Sequence, residues 1–205
     1  MKLLLATHNK NKVIELQALL KNHSEIEVLT LDDLSIIEEP EETEATFSGN
    51  AALKARWAAD QSGLLSMADD SGLEIDALNK EPGVYSARYL GKDTPYPEKN
   101  AIILKRLEEH EQRAARFVSV VAIANPKRHE EFSENTDIIL CEGIMEGSIA
   151  FEQKGSNGFG YDPIFIPQGF SETYAQMSTA DKNKVSHRGQ AFRKAVKVLL
   201  QGENT

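Results

Sequence analysis

The sequence predicts an α/β protein built on a mixed β-sheet with helices flanking it. The chain opens with the apolar run KLLLA (Lys2–Ala6), continues with Val13, Leu16 and Leu20 at helical spacing, and follows with IEVLTL, the order of a βαβ unit with parallel strands. Its second half carries the β-branched, alternating stretches RFVSVVAIAN and DIILCEGIMEGSIAF, which suit antiparallel or mixed strands. It closes on SHRGQAFRKAVKVLL, a helix whose inner face is Phe192, Val196, Leu199 and Leu200.

The elements follow in order. KLLLA is apolar throughout, as a central strand covered on both faces must be. KVIELQALLK (Lys12–Lys21) is the first helix and IEVLTL the second strand. EEPEETE, interrupted by Pro40, is an acidic loop; a helix from about Thr46 to Ser62 follows, with Phe47, Ala51, Ala55 and Ala58 on one face and Gly63 as its stop. LLSMA reads as a strand, LEIDAL as another and EPGV as a turn. Pro97 suits the first turn of a helix running to about His110. GSNGFGYDPIFIP is glycine-rich, and no internal repeat or low-complexity tract interrupts the chain.

At 205 residues, 40% apolar and 27% charged, the chain is of a size for one folding unit. A net charge of -9 repels polyanions, which disfavours nucleic acid and anionic membrane as partners and requires any anionic ligand to meet local cations or a metal. Cys141 is the only cysteine, so no internal disulfide forms, and it reads as a small buried residue. The apolar run of MKLLLA stops at THNKNK, short of a signal peptide, and no stretch approaches a membrane span. The expected location is the cytoplasm. His23, His110 and His129 read as exposed and Trp57 as a packing residue.

Five segments carry chemistry. THNKNK, with Thr7, His8, Asn9, Lys10, Asn11 and Lys12, lies where the first strand meets the first helix, and helix-start amides there can receive an anion. It lacks the glycine spacing of a P-loop, and an ordinary strand-to-helix turn is its alternative reading. ADDSG places Asp69 and Asp70 at the carboxyl end of a predicted central strand, where open α/β sheets put ligand sites. Alternation sends the two carboxylates to opposite faces, so one can hold a metal or act as base while the other braces it. The bland alternative is a surface turn with Gly72 at positive φ. In the acidic loop, Glu41 and Glu42 are either a solvated surface or oxygen ligands for a Mg²⁺ shared with the Asp pair. GFGYDPIF offers Phe159 or Tyr161 as a flat face for a heterocycle, or as core plugs beside glycine. In DKNKVSHRG, Ser186 caps a helix whose first turn holds His187 and Arg188; cations there oppose the dipole, which an anion or acceptor nearby would explain.

Six segments, ATHNKNK, EETEATFSGNAALKAR, ADDSGLEIDAL, PGVYSARY, GFGYDPIF and KNKVSHRGQA, stand in one order over nearly the whole chain. In that order they resemble the inosine triphosphate pyrophosphatase family. The resemblance implies an elongated mixed α/β fold, one domain over residues 1–205 with two lobes around a central cleft. It also implies a homodimer and Mg²⁺-dependent hydrolysis of non-standard purine nucleoside triphosphates between the α- and β-phosphates. By the family pattern, the Thr7–Lys12 segment and Lys54 face the phosphates, Asp70 is base or metal ligand, and Ser71 contacts substrate. Glu41 or Glu42 joins the metal; Phe159, Gly160, Tyr161 and Asp162 form the base loop; and Lys182, His187 and Arg188 complete the site. The chain departs from many members at His8, where they have glycine, and at Gly49, where they have glutamate.

The net reading is a pyrophosphatase that removes ITP, dITP and XTP from the nucleotide pool. Its alternatives are a related enzyme acting on other modified nucleotides and a module that binds nucleotides without cleaving them.

Overall fold

The computed structural model describes residues 1–21, 23–126 and 138–201; His129, and Asp137 at the start of one predicted strand, lie outside the described residues. Its elements are β1 (Lys2–Leu5), α1 (Lys10–Leu20), β2 (Glu27–Thr30), α2 (Phe47–Ser62), β3 (Leu65–Ile75), α3 (Tyr96–Arg106), β4 (Ala114–Ala124), β5 (Ile138–Ile149), β6 (Phe165–Pro167), α4 (Thr179–Val185) and α5 (His187–Gln201). The strands form a six-stranded sheet in the order β2-β1-β3-β4-β5-β6. β1 is parallel to both β2 and β3, and β5 is antiparallel to β6, so the sheet is mixed as predicted. No helix among the described residues is long and apolar enough to cross a membrane.

The chain divides into two compact units, one made of Met1–Asp70, Ser119–Gly143 and Gln190–Thr205, the other of Ser71–Val118 and Ile144–Gly189. In the first, β1 is buried on both faces. Leu3 and Leu5 pack with Leu16 and Leu20 of α1 and with Phe192, Val196 and Leu199 of α5. Leu4 packs the other way, onto Ala51, Ala55, Ala58 and Ala59 of α2. Full burial of a leucine or phenylalanine contributes about 1.5–3 kcal/mol, so these two clusters are what hold the helices to the sheet. The inner face predicted for the last helix is the observed one, with Leu200 only partly buried.

α2 begins and ends as its sequence dictates. Thr46 Oγ1 accepts from Gly49 N at 3.0 Å, an N-cap of about 1 kcal/mol. Gly63, at φ +68°, closes the helix.

The second unit is built around Leu73, Ile75, Ile103, Phe117, Ile149, Tyr161, Phe165 and Tyr174. Arg113 ties its periphery together: Nε donates to Ile149 O at 2.8 Å, and the guanidinium's other nitrogens donate to Leu107 O at 2.9 Å and Ala150 O at 2.7 Å. α3 stops at Arg106, one turn before the predicted end near His110.

Two predictions are corrected. DDSG is no turn between two strands; it lies inside the single strand β3, and Gly72 is absent from the positive-φ positions. DKNKV, read as the approach to the last helix, forms α4, capped by Ser178 Oγ accepting from Asp181 N at 3.1 Å. Ser186 then ends α4 and caps α5, accepting from Gly189 N at 3.0 Å as predicted.

Candidate active site

The continuity of β3 determines where its carboxylates go. Met67 belongs to the cluster shared by α1 and α5, and Ala68 to the cluster under α2. With period-two alternation, Asp69 then faces α1 and Asp70 faces α2. The partners agree: Lys12 of α1 reaches Asp69 Oδ1 at 3.0 Å, and Lys54 of α2 lies 3.6 Å from Asp70 Oδ1. Each buried carboxylate therefore meets a cation from the helix that covers its own face, which is why the strand continues through DDSG.

Lys54 is the centre of the Asp70 cluster. Its Nζ donates to Glu42 Oε1 at 2.6 Å, so two carboxylates bracket one ammonium. Burial alone would lower the Lys54 pKa; the charges of Asp70, Glu42 and Asp69 outweigh it and hold the group above its ordinary value. Asp70 is pushed up, first by burial and then by Glu42, against the opposing effects of Lys54, Lys12 and Asn50. Of the two glutamates left open by the sequence, Glu42 is the one in this cluster, and Glu41 is exposed.

The β1–α1 turn is held by its own polar groups. Asn9 Oδ1 caps α1, accepting from Asn11 N at 3.0 Å and Lys12 N at 3.3 Å, and Thr7 Oγ1 accepts from Asn9 N at 3.1 Å. Asn9 Nδ2 is the donor that capping leaves over. Lys10 and Asn11 are exposed on the first turn. The His8 ring pairs through Nδ1 with Asp32 at 3.0 Å, and the His8 amide donates to Glu39 Oε1 at 2.8 Å. The other departure, Gly49, is a matter of space: a Cβ there would lie 2.7 Å from Glu44 Cβ, so the Glu44 side chain fills the volume a larger residue would need.

In the second unit, Lys182 Nζ donates to Asp162 Oδ2 at 2.6 Å, with both side chains buried, and the same oxygen accepts from Phe159 N at 2.8 Å. Gly158, at φ +73°, permits this, because a Cβ there would come within 2.1 Å of that oxygen. Phe159 is half-buried under two cations, with Lys182 Nζ 5.0 Å and Arg188 Cζ 5.2 Å from its ring centroid. Arg188 also donates to Ser71 Oγ at 2.8 Å. His187 is stacked on Phe117, centroids 4.5 Å apart and planes at 6°. Tyr161 takes the core-plug alternative: it is buried, its hydroxyl donates to Ser86 O at 2.8 Å, and burial pushes that hydroxyl well above the usual phenol range. Gly160, between the two in sequence, has φ +69°, and its carbonyl accepts from Asn100 Nδ2 at 3.2 Å.

Among known proteins, the model of the Ham1 family matches residues 3–198. The chain belongs to the Ham1 family. This Ham1 chain is 48% identical to the dITP/XTP pyrophosphatase of Elusimicrobium minutum, covering 97% of the chain and 100% of that protein. It is 44% identical to the protein of the same name from Caulobacter vibrioides, covering 97% and 98%. Its fold is similar to the HAM1 protein of Coxiella burnetii, with a TM-score of 0.85 at 40% identity, covering 98% of this chain and 99% of that one. It also resembles the nucleoside-triphosphatase/dITP/XTP pyrophosphatase of Mycobacterium abscessus, TM-score 0.72 at 41% identity, covering 98% and 99%.

Within this Ham1 chain, the structure brings Asp70, Lys54 and Glu42 into one cluster and Lys12 onto Asp69. It gathers Ser71, Phe159, Asp162, Lys182 and Arg188 into another. Sequence reasoning missed Asn50, whose side chain donates to Asp70, and Phe117, on which His187 is stacked. Asn50 had a signal: with Lys54 it stands at i, i+4 on the alanine face of α2, and polar residues on an apolar face need partners.

Proposed function

We propose that this Ham1 protein hydrolyses non-standard purine nucleoside triphosphates, dITP, ITP and XTP, to the monophosphate and pyrophosphate. The observation that carries the reading is the pair of carboxylates, Asp70 and Glu42, bracketing one buried ammonium in a chain matched over its length to pyrophosphatases. Divalent-metal dependence belongs to this reading, with Mg²⁺ as the ion. The donor set fits it: Mg²⁺ is held by one or two carboxylates, with water and substrate phosphate completing its shell, and Asp70 and Glu42 are two carboxylates gathered on one ammonium. Asp70 and Glu42 would hold it, and bound there it supplies charge neutralisation for the phosphate oxygens.

The protein's own groups do the rest. Lys12, fixed by Asp69, and the donors of the Thr7–Lys12 turn counter the negative charge of the triphosphate. Asp70, whose affinity for a proton is raised chiefly by burial, accepts a proton from the attacking water. The water oxygen bonds to the α-phosphorus, the bond from that phosphorus to the α–β bridging oxygen breaks, and pyrophosphate departs with the bonding pair. Phe159 stacks on the base, while Arg188 and His187 supply donors for the 6-carbonyl of hypoxanthine or xanthine. Adenine's 6-amino group would leave such donors unmatched. Homodimerisation and a cytoplasmic setting complete the reading, and both rest on the resemblance and composition.

A substrate panel tests it. With Mg²⁺ present, pyrophosphate release from ITP, dITP and XTP should exceed that from ATP by at least about 100-fold in kcat/KM, the scale of a mismatched polar recognition. Comparable rates on ATP or dUTP would point to the broader pyrophosphatase alternative, and saturable ITP binding without product to the binding module. Asp70→Asn should reduce kcat by about 100-fold or more while the circular dichroism spectrum is retained.

A further inference from the structure

Asn50 is fully buried in α2 and makes two directed bonds. Its Nδ2 donates to Asp70 Oδ2 at 3.2 Å, and its Oδ1 accepts from the Glu44 amide at 3.0 Å. The partners fix the amide's orientation, because a carboxylate can only accept and a backbone N–H can only donate. Lys54, one turn further along α2, stands 3.6 Å from the other Asp70 oxygen. The two carboxylate oxygens are thus addressed separately, one by an amide and one by an ammonium. Glu44 lies two residues beyond Glu42, whose carboxylate meets the same ammonium at 2.6 Å. One side chain therefore touches both parts of the cluster, the Asp70 carboxylate and the main chain of the segment that brings Glu42. Asparagine is a poor helix former and costs stability in an alanine-lined face, so packing does not account for it.

We infer that Asn50 is a positioning residue for the hydrolytic centre: it sets the rotation of the Asp70 carboxylate and pins the acidic segment so that Glu42 and Asp70 stand at a fixed separation. The inference rests on the reading of Asp70 given above. A partner that only donates to Asp70, or only ties down Glu44, performs half of this; the neutral amide does both.

The test compares wild type, Asn50→Ala and Asn50→Asp in steady-state pyrophosphate release from ITP, together with calorimetric Mn²⁺ titration without nucleotide. Asn50→Ala should lower kcat by about 10- to 100-fold, with KM for ITP within about threefold, and weaken Mn²⁺ binding by about tenfold. In an Asp70→Asn background the same substitution should weaken Mn²⁺ binding by clearly less than it does with Asp70 present, because only the route through the Glu44 amide remains; general loosening of the fold would cost the same in both backgrounds. Wild-type protein that releases no pyrophosphate overturns the functional reading. Active wild type with Asn50→Ala within about twofold of it in kcat overturns the positioning role alone. If Asn50→Ala does not fold, Asn50→Asp decides. It is isosteric and still accepts from Glu44 N, but it sets a carboxylate against Asp70: a kcat loss of about tenfold or more supports the role, and wild-type kcat overturns it.

Discussion

Lys54 neutralises two carboxylates from a position with little access to water, and its removal should be felt in the fold as well as in turnover. With Lys54→Met, Glu42 and Asp70 face each other without a cation; stranding buried charge in this way costs about 3 kcal/mol. For a chain of this size that lowers Tm by about 6–12 °C in a thermal scan. Asp70 behaves in the opposite sense. Its pKa is raised above the ordinary 3.8, chiefly by burial. The stability it contributes is therefore fully present below its unfolded pKa and is lost as pH rises through the higher folded value. At neutral pH the ionised carboxylate is a strained group, so Asp70→Asn should raise the Tm of the metal-free protein while removing activity. Each kcal/mol relieved corresponds to about 2–4 °C. A Tm below that of wild type at neutral pH would show that Lys54 and Asn50 more than compensate the burial. This exchange of stability for reactivity is expected of a catalytic carboxylate.

At the level of elements, the segment from Gly158 to Asp162 depends on backbone freedom. Gly158→Ala would force an unfavourable φ and drive a methyl into Asp162 Oδ2, displacing it from Lys182 and the Phe159 amide. KM for ITP should rise by about tenfold with kcat changed by less than about threefold, because the Asp70 cluster lies on other elements. Equal losses in kcat and kcat/KM would show that this loop acts on the chemical step. Strongly periodic elements were legible in the sequence: KLLLA as a doubly covered strand, the alanine face and the closing glycine of α2, and the inner face of α5. β3 was misread because two carboxylates and a glycine look like a turn unless their partners are known, and those partners are 57 residues upstream for Asp69 and 16 upstream for Asp70. A separation of 70 residues likewise hid Phe117 from His187. Residue types in the two clusters were visible as motifs, whereas which of two neighbours the backbone turns inward was not: Glu42 rather than Glu41 meets Lys54, and Tyr161 rather than Phe159 is the buried ring.

For the molecule as a whole, the net charge of -9 makes local cation placement decisive. Lys12 and Lys54 each meet an internal carboxylate, so the chain itself supplies the cations that let these carboxylates be buried. Chelation should accordingly stop pyrophosphate release and leave near-ultraviolet circular dichroism unchanged, unlike a domain folded around a structural ion. Loss of the aromatic signal on chelation would show that metal holds the fold. The uninterrupted run of β3 carries a further consequence. Odd and even positions on that strand are committed to different helices, so parity itself is a functional property. Deleting a single residue between Leu65 and Ala68 would present Asp70 to Lys12 and Asp69 to Lys54, exchanging the partners of the two carboxylates without altering either side chain. Substitutions there can be graded; a frameshift of one position cannot.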